Sequence, residues 1–104
     1  MKSTINLRRI KRSIKFWWQR RTRGWDDSET WNLDYHTAKF LVPRLIRFKE
    51  LTNAYPPNLS KNEWDAVLDQ MIKSFKSCES CFYDAAALKD GYRLLAEYHS
   101  YLWW

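Results

Sequence analysis

Residues 59–75, LSKNEWDAVLDQMIKSF, decide the fold. Ser60 and Glu63 stand three apart, the spacing of a capping box: the serine hydroxyl accepts from the N3 amide, and the glutamate reaches back to the serine amide. Leu59 and Trp64 occupy the N′ and N4 positions of a hydrophobic staple around that box. Trp64, Val67, Leu68, Met71, Ile72 and Phe75 then recur at spacings of three and four, which makes one broad face of a helix apolar. A helix start with this much agreement between cap and core face anchors the reading of everything on either side.

Immediately upstream, Tyr55-Pro56-Pro57 is the clearest break in the chain, because proline lacks the amide a helix needs. Before that break Trp31, Tyr35, Ala38, Val42 and Leu45 follow one another at spacings of four and three, and Phe48 adds a further turn. Asp26 and Glu29 read as the start of this second helix, where acidic side chains suit the positive end of the dipole. Pro43 lies inside it, so a kink is expected there. Further upstream Leu7, Ile10, Ile14 and Trp17, with Trp18 beside them, form an apolar stripe on a helix spanning about residues 3–22. Ser3 or Thr4 is a candidate cap, and Gly24 supplies the left-handed residue that ends such a helix. Downstream of an ambiguous stretch at 77–83, Asp84 caps a fourth helix carrying Leu88, Tyr92, Leu95, His99 and Leu102, widened by Leu94, Tyr98 and Tyr101. No strand-like alternation of useful length occurs. The expectation is an all-α protein, a compact bundle of three or four helices with a basic amphipathic N-terminal helix and a second helix kinked at Pro43.

Charge divides the chain unevenly. Residues 1–25 hold nine Lys/Arg and no acidic residue, whereas 26–104 hold nine Lys/Arg against twelve Asp/Glu. A basic amphipathic segment, 1–23, thus precedes a helical body, 24–104, within one domain. Such a concentration of positive field attracts phosphate polymers, nucleotides, anionic membranes or an acidic protein face. An apolar share of 45% argues against wholesale disorder. Seven Trp, six Tyr and five Phe are an excess that reads first as core filling and second as a stacking or interface surface. Two cysteines do not make a disulfide scaffold. No apolar run is long enough for a transmembrane segment, and the first residues lack the pattern of a secretory signal. Cytoplasmic residence is expected.

Gly24-Trp25-Asp26-Asp27, Trp31-Asn32-Leu33-Asp34 and Ala38-Lys39-Phe40-Leu41-Val42-Pro43-Arg44-Leu45, with Pro57, Leu59, Glu63-Trp64, Leu68-Asp69, Met71-Ile72 and Phe75, form a distinctive run. Together with the closing Tyr101-Leu102-Trp103-Trp104, it resembles small proteins of unassigned activity encoded by tailed bacteriophages. The resemblance covers about residues 24–75 and the C-terminus and leaves 1–23 outside it. It implies a phage gene product acting in the cytoplasm of a bacterial host, and it transfers no catalytic residue.

Chemistry-bearing patterns are few. Cys78-Glu79-Ser80-Cys81 is a CxxC, which can chelate zinc or exchange dithiols, but the remaining histidines, His36 and His99, fall on different expected helices. Structural thiols are the favoured reading, with Cys78, Cys81, His36 and His99 as weak metal candidates. Each histidine reads as a semi-buried, hydrogen-bonded side chain, because no nucleophile accompanies it. No P-loop, GxGxxG or HExxH occurs, so an enzyme is not expected, nor a cofactor. The basic segment interleaved with Trp is the best functional candidate, since cations neutralise phosphates while Trp faces stack bases or take a cation–π contact. The candidate ligand residues are Arg8, Arg9, Arg12, Lys15, Trp17, Trp18, Arg20, Arg21, Arg23 and Trp25, with Arg44 and Arg47 extending the patch. The leading expectation is a non-enzymatic phage protein that sequesters or occludes an anionic host component, a nucleotide signal of a defence system or nucleic acid. A Trp-rich module that inhibits a host protein is the rival, and peripheral membrane binding by the basic helix a third reading. A homo-oligomer is compatible with each.

Overall fold

The computed structural model describes residues 2–79 and 84–104 of the chain. Four α-helices account for most of it: α1 (Lys2–Arg23), α2 (Leu33–Leu51), α3 (Lys61–Lys76) and α4 (Ala85–Tyr98). Three short 3₁₀ helices, Asp27–Thr30, Ser77–Glu79 and His99–Tyr101, connect or extend them. Every regular element among the described residues is helical, so the fold is all-α. The chain divides into two compact units, Met1–His36 and Thr37–Trp104. That division falls in the first turn of α2, and residues 26–31 bond to α1 within the first unit.

The caps expected at Ser60, Asp84 and Gly24 form, whereas α1 begins at Lys2, ahead of the cap candidates Ser3 and Thr4. Ser60 Oγ accepts from the Glu63 amide at 3.1 Å and Glu63 Oε1 accepts from the Ser60 amide at 2.9 Å. The bond from the Ser60 amide holds the Glu63 carboxyl below its ordinary pKa. Asp84 Oδ1 accepts from the Ala86 and Ala87 amides at 2.9 and 3.4 Å, opening α4. Gly24, at φ +88°, closes α1 with its amide donating to the Arg20 carbonyl at 2.9 Å. A side chain there would meet the left-handed penalty that glycine escapes.

The 37–104 unit carries the core. Ala38, Val42 and Leu45 of α2 join Trp64, Leu68, Met71 and Phe75 of α3, Cys78, and Leu94 of α4. α2 therefore presents the expected stripe from Ala38 onward, and it continues as helix through Pro43. Trp64 is fully buried, with the Tyr98 ring edge-on at 5.5 Å, and Phe75 meets Tyr92 in the same way at 5.0 Å. Truncating a buried Trp to alanine costs about 3–5 kcal/mol. Gly91 permits the close approach of α4 to α3, since a Cβ built on it would lie 2.7 Å from Ser74 Cβ. One difference from the expected face is His99. It is exposed, because α4 ends at Tyr98 and the tighter 3₁₀ turn rotates the next residues off the helical stripe.

The second helix begins later than Asp26 and Glu29 suggest. Those residues do form a reciprocal cap, but on the 3₁₀ helix Asp27–Thr30, and α2 starts at Leu33. Trp31 is left between the two elements, 66% exposed. The core-filling expectation for tryptophan holds for Trp64 alone. Trp17, Trp18, Trp25, Trp31, Trp103 and Trp104 are all exposed.

Candidate functional site

α1 runs 22 residues with no glycine or proline inside it, and Arg20, Arg21 and Arg23 fall in its last turn, where cations offset the negative end of the dipole. Residues 26–31 fold back along one side of it. Gln19 Nε2 donates to Asp27 Oδ2 at 2.7 Å while its Oε1 accepts from the Asp27 amide at 2.8 Å. Arg20 pairs with the buried Asp26, Arg23 pairs with Asp27, and Lys15 Nζ stands 3.7 Å from the same Asp27 carboxylate. Phe16 meets Trp31 edge-to-face with centroids 5.5 Å apart. Asp26 is held below the ordinary carboxylate pKa first by its bonds from Ser28 and then by Arg20. Asp27 is lowered by the bonds from Arg23 and Gln19 and by the Lys15 charge.

This clamp engages part of the positive charge of α1. Lys15, Arg20 and Arg23 already serve Asp26 and Asp27, and Arg23 also lies 3.8 Å above the Trp25 ring and donates to the Trp25 carbonyl at 3.0 Å. Four candidate ligand residues, Lys15, Arg20, Arg23 and Trp25, are thus engaged within the unit itself. Arg8, Arg9, Lys11, Arg12 and Arg21 are exposed and have no carboxylate partner among the described residues. Arg44 and Arg47 belong to the other unit, where Arg44 stacks on Phe40 at 3.8 Å and Arg47 pairs with Glu50 at 2.8 Å.

Two surfaces of the 1–36 unit follow from the clamp. A shallow basic depression is lined by Lys11, Arg12, Lys15, Phe16, Asp27 and Trp31, so unpaired cations adjoin an exposed indole face. Cations beside an exposed ring are the arrangement that holds phosphate and stacks a base. On the other side of α1, Leu7, Ile10, Ile14, Trp17 and Trp18 remain between 52% and 60% exposed. At about 100° per residue these five share one arc of roughly 100°, and the clamp uses Lys15, Phe16, Gln19, Arg20 and Arg23 from the opposite arc. Arg21 falls on the stripe's own line, four residues beyond Trp17. Periodicity alone locates the stripe but gives no sign of whether anything covers it.

Among the described residues no three His, Cys, Asp or Glu side chains gather as ligands. Cys78 is a buried core residue whose Sγ donates to the Ser74 carbonyl at 3.6 Å, and Cys81 lies outside the described residues. His36 is half-buried against Tyr35 at 5.3 Å in one unit, while His99 is exposed in the other. A depression on the 37–104 unit, lined by Ile46, Lys49, Glu50, Asp69, Ile72 and Lys76, has balanced charge and a Lys49–Asp69 pair at 2.7 Å. It offers an anion no net attraction. Among the described residues no helix is long and apolar enough to cross a membrane. No protein-family model matches the chain, and no curated protein or solved structure matches it either.

Proposed function

We propose that this chain is a non-enzymatic binding protein of a tailed bacteriophage that engages a phosphate-bearing component of its bacterial host through the 1–36 unit. The observation that carries the reading is the set of five exposed, carboxylate-free cations, Arg8, Arg9, Lys11, Arg12 and Arg21, on a helix with no acidic residue. An ordinary solvated helix face intersperses both signs of charge. Nucleic acid and nucleotide signals supply phosphate for the cations and a base for the exposed Trp31 face beside Lys11 and Arg12. The action is occlusion or sequestration in the host cytoplasm: charge collects the ligand and aromatic faces retain it.

Fluorescence anisotropy with a labelled single-stranded oligonucleotide, and competition by cyclic and linear nucleotides, tests this at low salt. Lys11→Ala/Arg12→Ala weakens binding, and Trp31→Ala weakens it by about 1–3 kcal/mol if the indole stacks a base. Failure of the chain to bind any phosphate ligand, together with salt-insensitive capture of a host protein, replaces this reading with that of an inhibitory interaction module.

A further inference from the structure

We infer that the apolar stripe of α1 is an interfacial binding face for an anionic lipid bilayer. This rests on the reading that the 1–36 unit engages phosphate, and it names phospholipid headgroups as the source. Leu7, Ile10, Ile14, Trp17 and Trp18 stand more than half exposed along α1, and the clamp of residues 26–31 occupies the opposite arc. Arg9, Ile10, Ser13, Ile14 and Trp17 line a shallow depression along that face.

The chemistry of the stripe selects its partner. Leucine and isoleucine offer a base neither a hydrogen bond nor a ring to stack on, so this face suits nucleic acid poorly. A lipid interface takes all of its parts. Aliphatic side chains enter the acyl boundary, and Trp17 and Trp18 sit at headgroup level as indoles do in membrane proteins. Lys11 flanks the stripe on one side and Arg9 borders its depression on the other, while Arg21 lies along it with a stem long enough to carry its guanidinium out to phosphate. No acidic residue occurs between Lys2 and Trp25 to oppose an anionic surface. The 22-residue helix carries its cations and its apolar stripe together along its length, so it lies along the bilayer plane instead of crossing it.

The test uses the full chain with vesicles of phosphatidylglycerol mixed with phosphatidylcholine, vesicles of phosphatidylcholine alone, and a single-stranded oligonucleotide. Sedimentation and the tryptophan emission shift report binding. The mixed vesicles bind and the neutral ones do not. Ile14→Asp lowers vesicle affinity at least about tenfold, and Trp17→Ser also lowers it. Arg21→Ala and Lys11→Ala each lower it about fivefold. All four positions are exposed, so circular dichroism of the variants matches the parent. Equal binding to both vesicle types, or an unchanged Ile14→Asp variant, overturns the inference. Oligonucleotide binding without vesicle binding overturns the inference and leaves the phosphate reading standing. Binding to neither removes both. A chain that self-associates through the stripe, becoming monomeric on Ile14→Asp with no change on vesicles, assigns the face to a second copy and also overturns the inference.

Discussion

Replacing Gly91 by alanine tests the helix packing that forms the core of the 37–104 unit. The added methyl would sit 2.7 Å from Ser74 Cβ and 3.4 Å from Phe75 Cε2. Carbon atoms pack best at about 3.5–4.0 Å, so the first contact is about an ångström too short. Ser74 Cβ is fixed to the α3 backbone and no rotamer change moves it, so the helices must part. Overpacking of this kind costs about 1–3 kcal/mol, while alanine in a helix interior returns about 1. Gly91→Ala therefore destabilises by about 1 kcal/mol. Removing the opposing carbon with Ser74→Gly reverses the sign, and Gly91→Ala in that background stabilises by up to about 1 kcal/mol. Urea unfolding followed by near-ultraviolet circular dichroism reports the packed aromatic pairs of this unit. A stabilising Gly91→Ala in the parent chain, or an undiminished penalty beside Ser74→Gly, would refute the packing argument.

Ser60→Ala removes a cap whose two reciprocal bonds are both made, and it lowers the stability of the 37–104 unit by about 1 kcal/mol in the same urea assay. The clamp on α1 is acid-sensitive. Asp26 and Asp27 have folded pKa values below their ordinary ones, so their stabilisation is fully present above about pH 4 and is lost as pH falls through the folded values. Carbon-detected titration of the two carboxyls, with the Trp31 indole signal as a reporter of the clamp, should show both midpoints below about 3.9. Midpoints at or above that value would separate Asp26 and Asp27 from their partners.

Features set by local chemistry are legible in the sequence. Ser60 with Glu63, Asp84, and Gly24 each act on backbone groups within four residues, and the structure places all three where their spacing puts them. Asp26 with Glu29 is legible as a cap, but its pattern does not distinguish an α-helix from the 3₁₀ turn it opens. The tryptophans are illegible as to burial. Trp17 and Trp64 share helical spacing with apolar neighbours, yet one is 54% exposed and the other fully buried, because burial depends on what the stripe meets. The pairing of Lys15, Arg20 and Arg23 with Asp26 and Asp27 joins a helix to the turn beyond it; Arg23–Asp27 has the four-residue spacing of a helix-face pair, but Arg20–Asp26 and Lys15–Asp27, six and twelve residues apart, lie beyond that rule. That pairing divides the eight cations of residues 7–25 into an engaged group of three and an unpaired group of five, and so determines which of them constitute the candidate site.

The salt dependence of oligonucleotide binding tests the central claim most directly, with mixed phosphatidylglycerol vesicles measured alongside. If Arg8, Arg9, Lys11, Arg12 and Arg21 neutralise five phosphates, the slope of log K against log salt is about −3.5, or roughly a hundredfold loss between about 50 and 200 mM. Arg8→Ala/Arg9→Ala/Arg12→Ala flattens that slope by about 2 while leaving the helix content unchanged. A slope near zero, a slope that the triple variant does not alter, or no association with either probe at the lower salt contradicts the account.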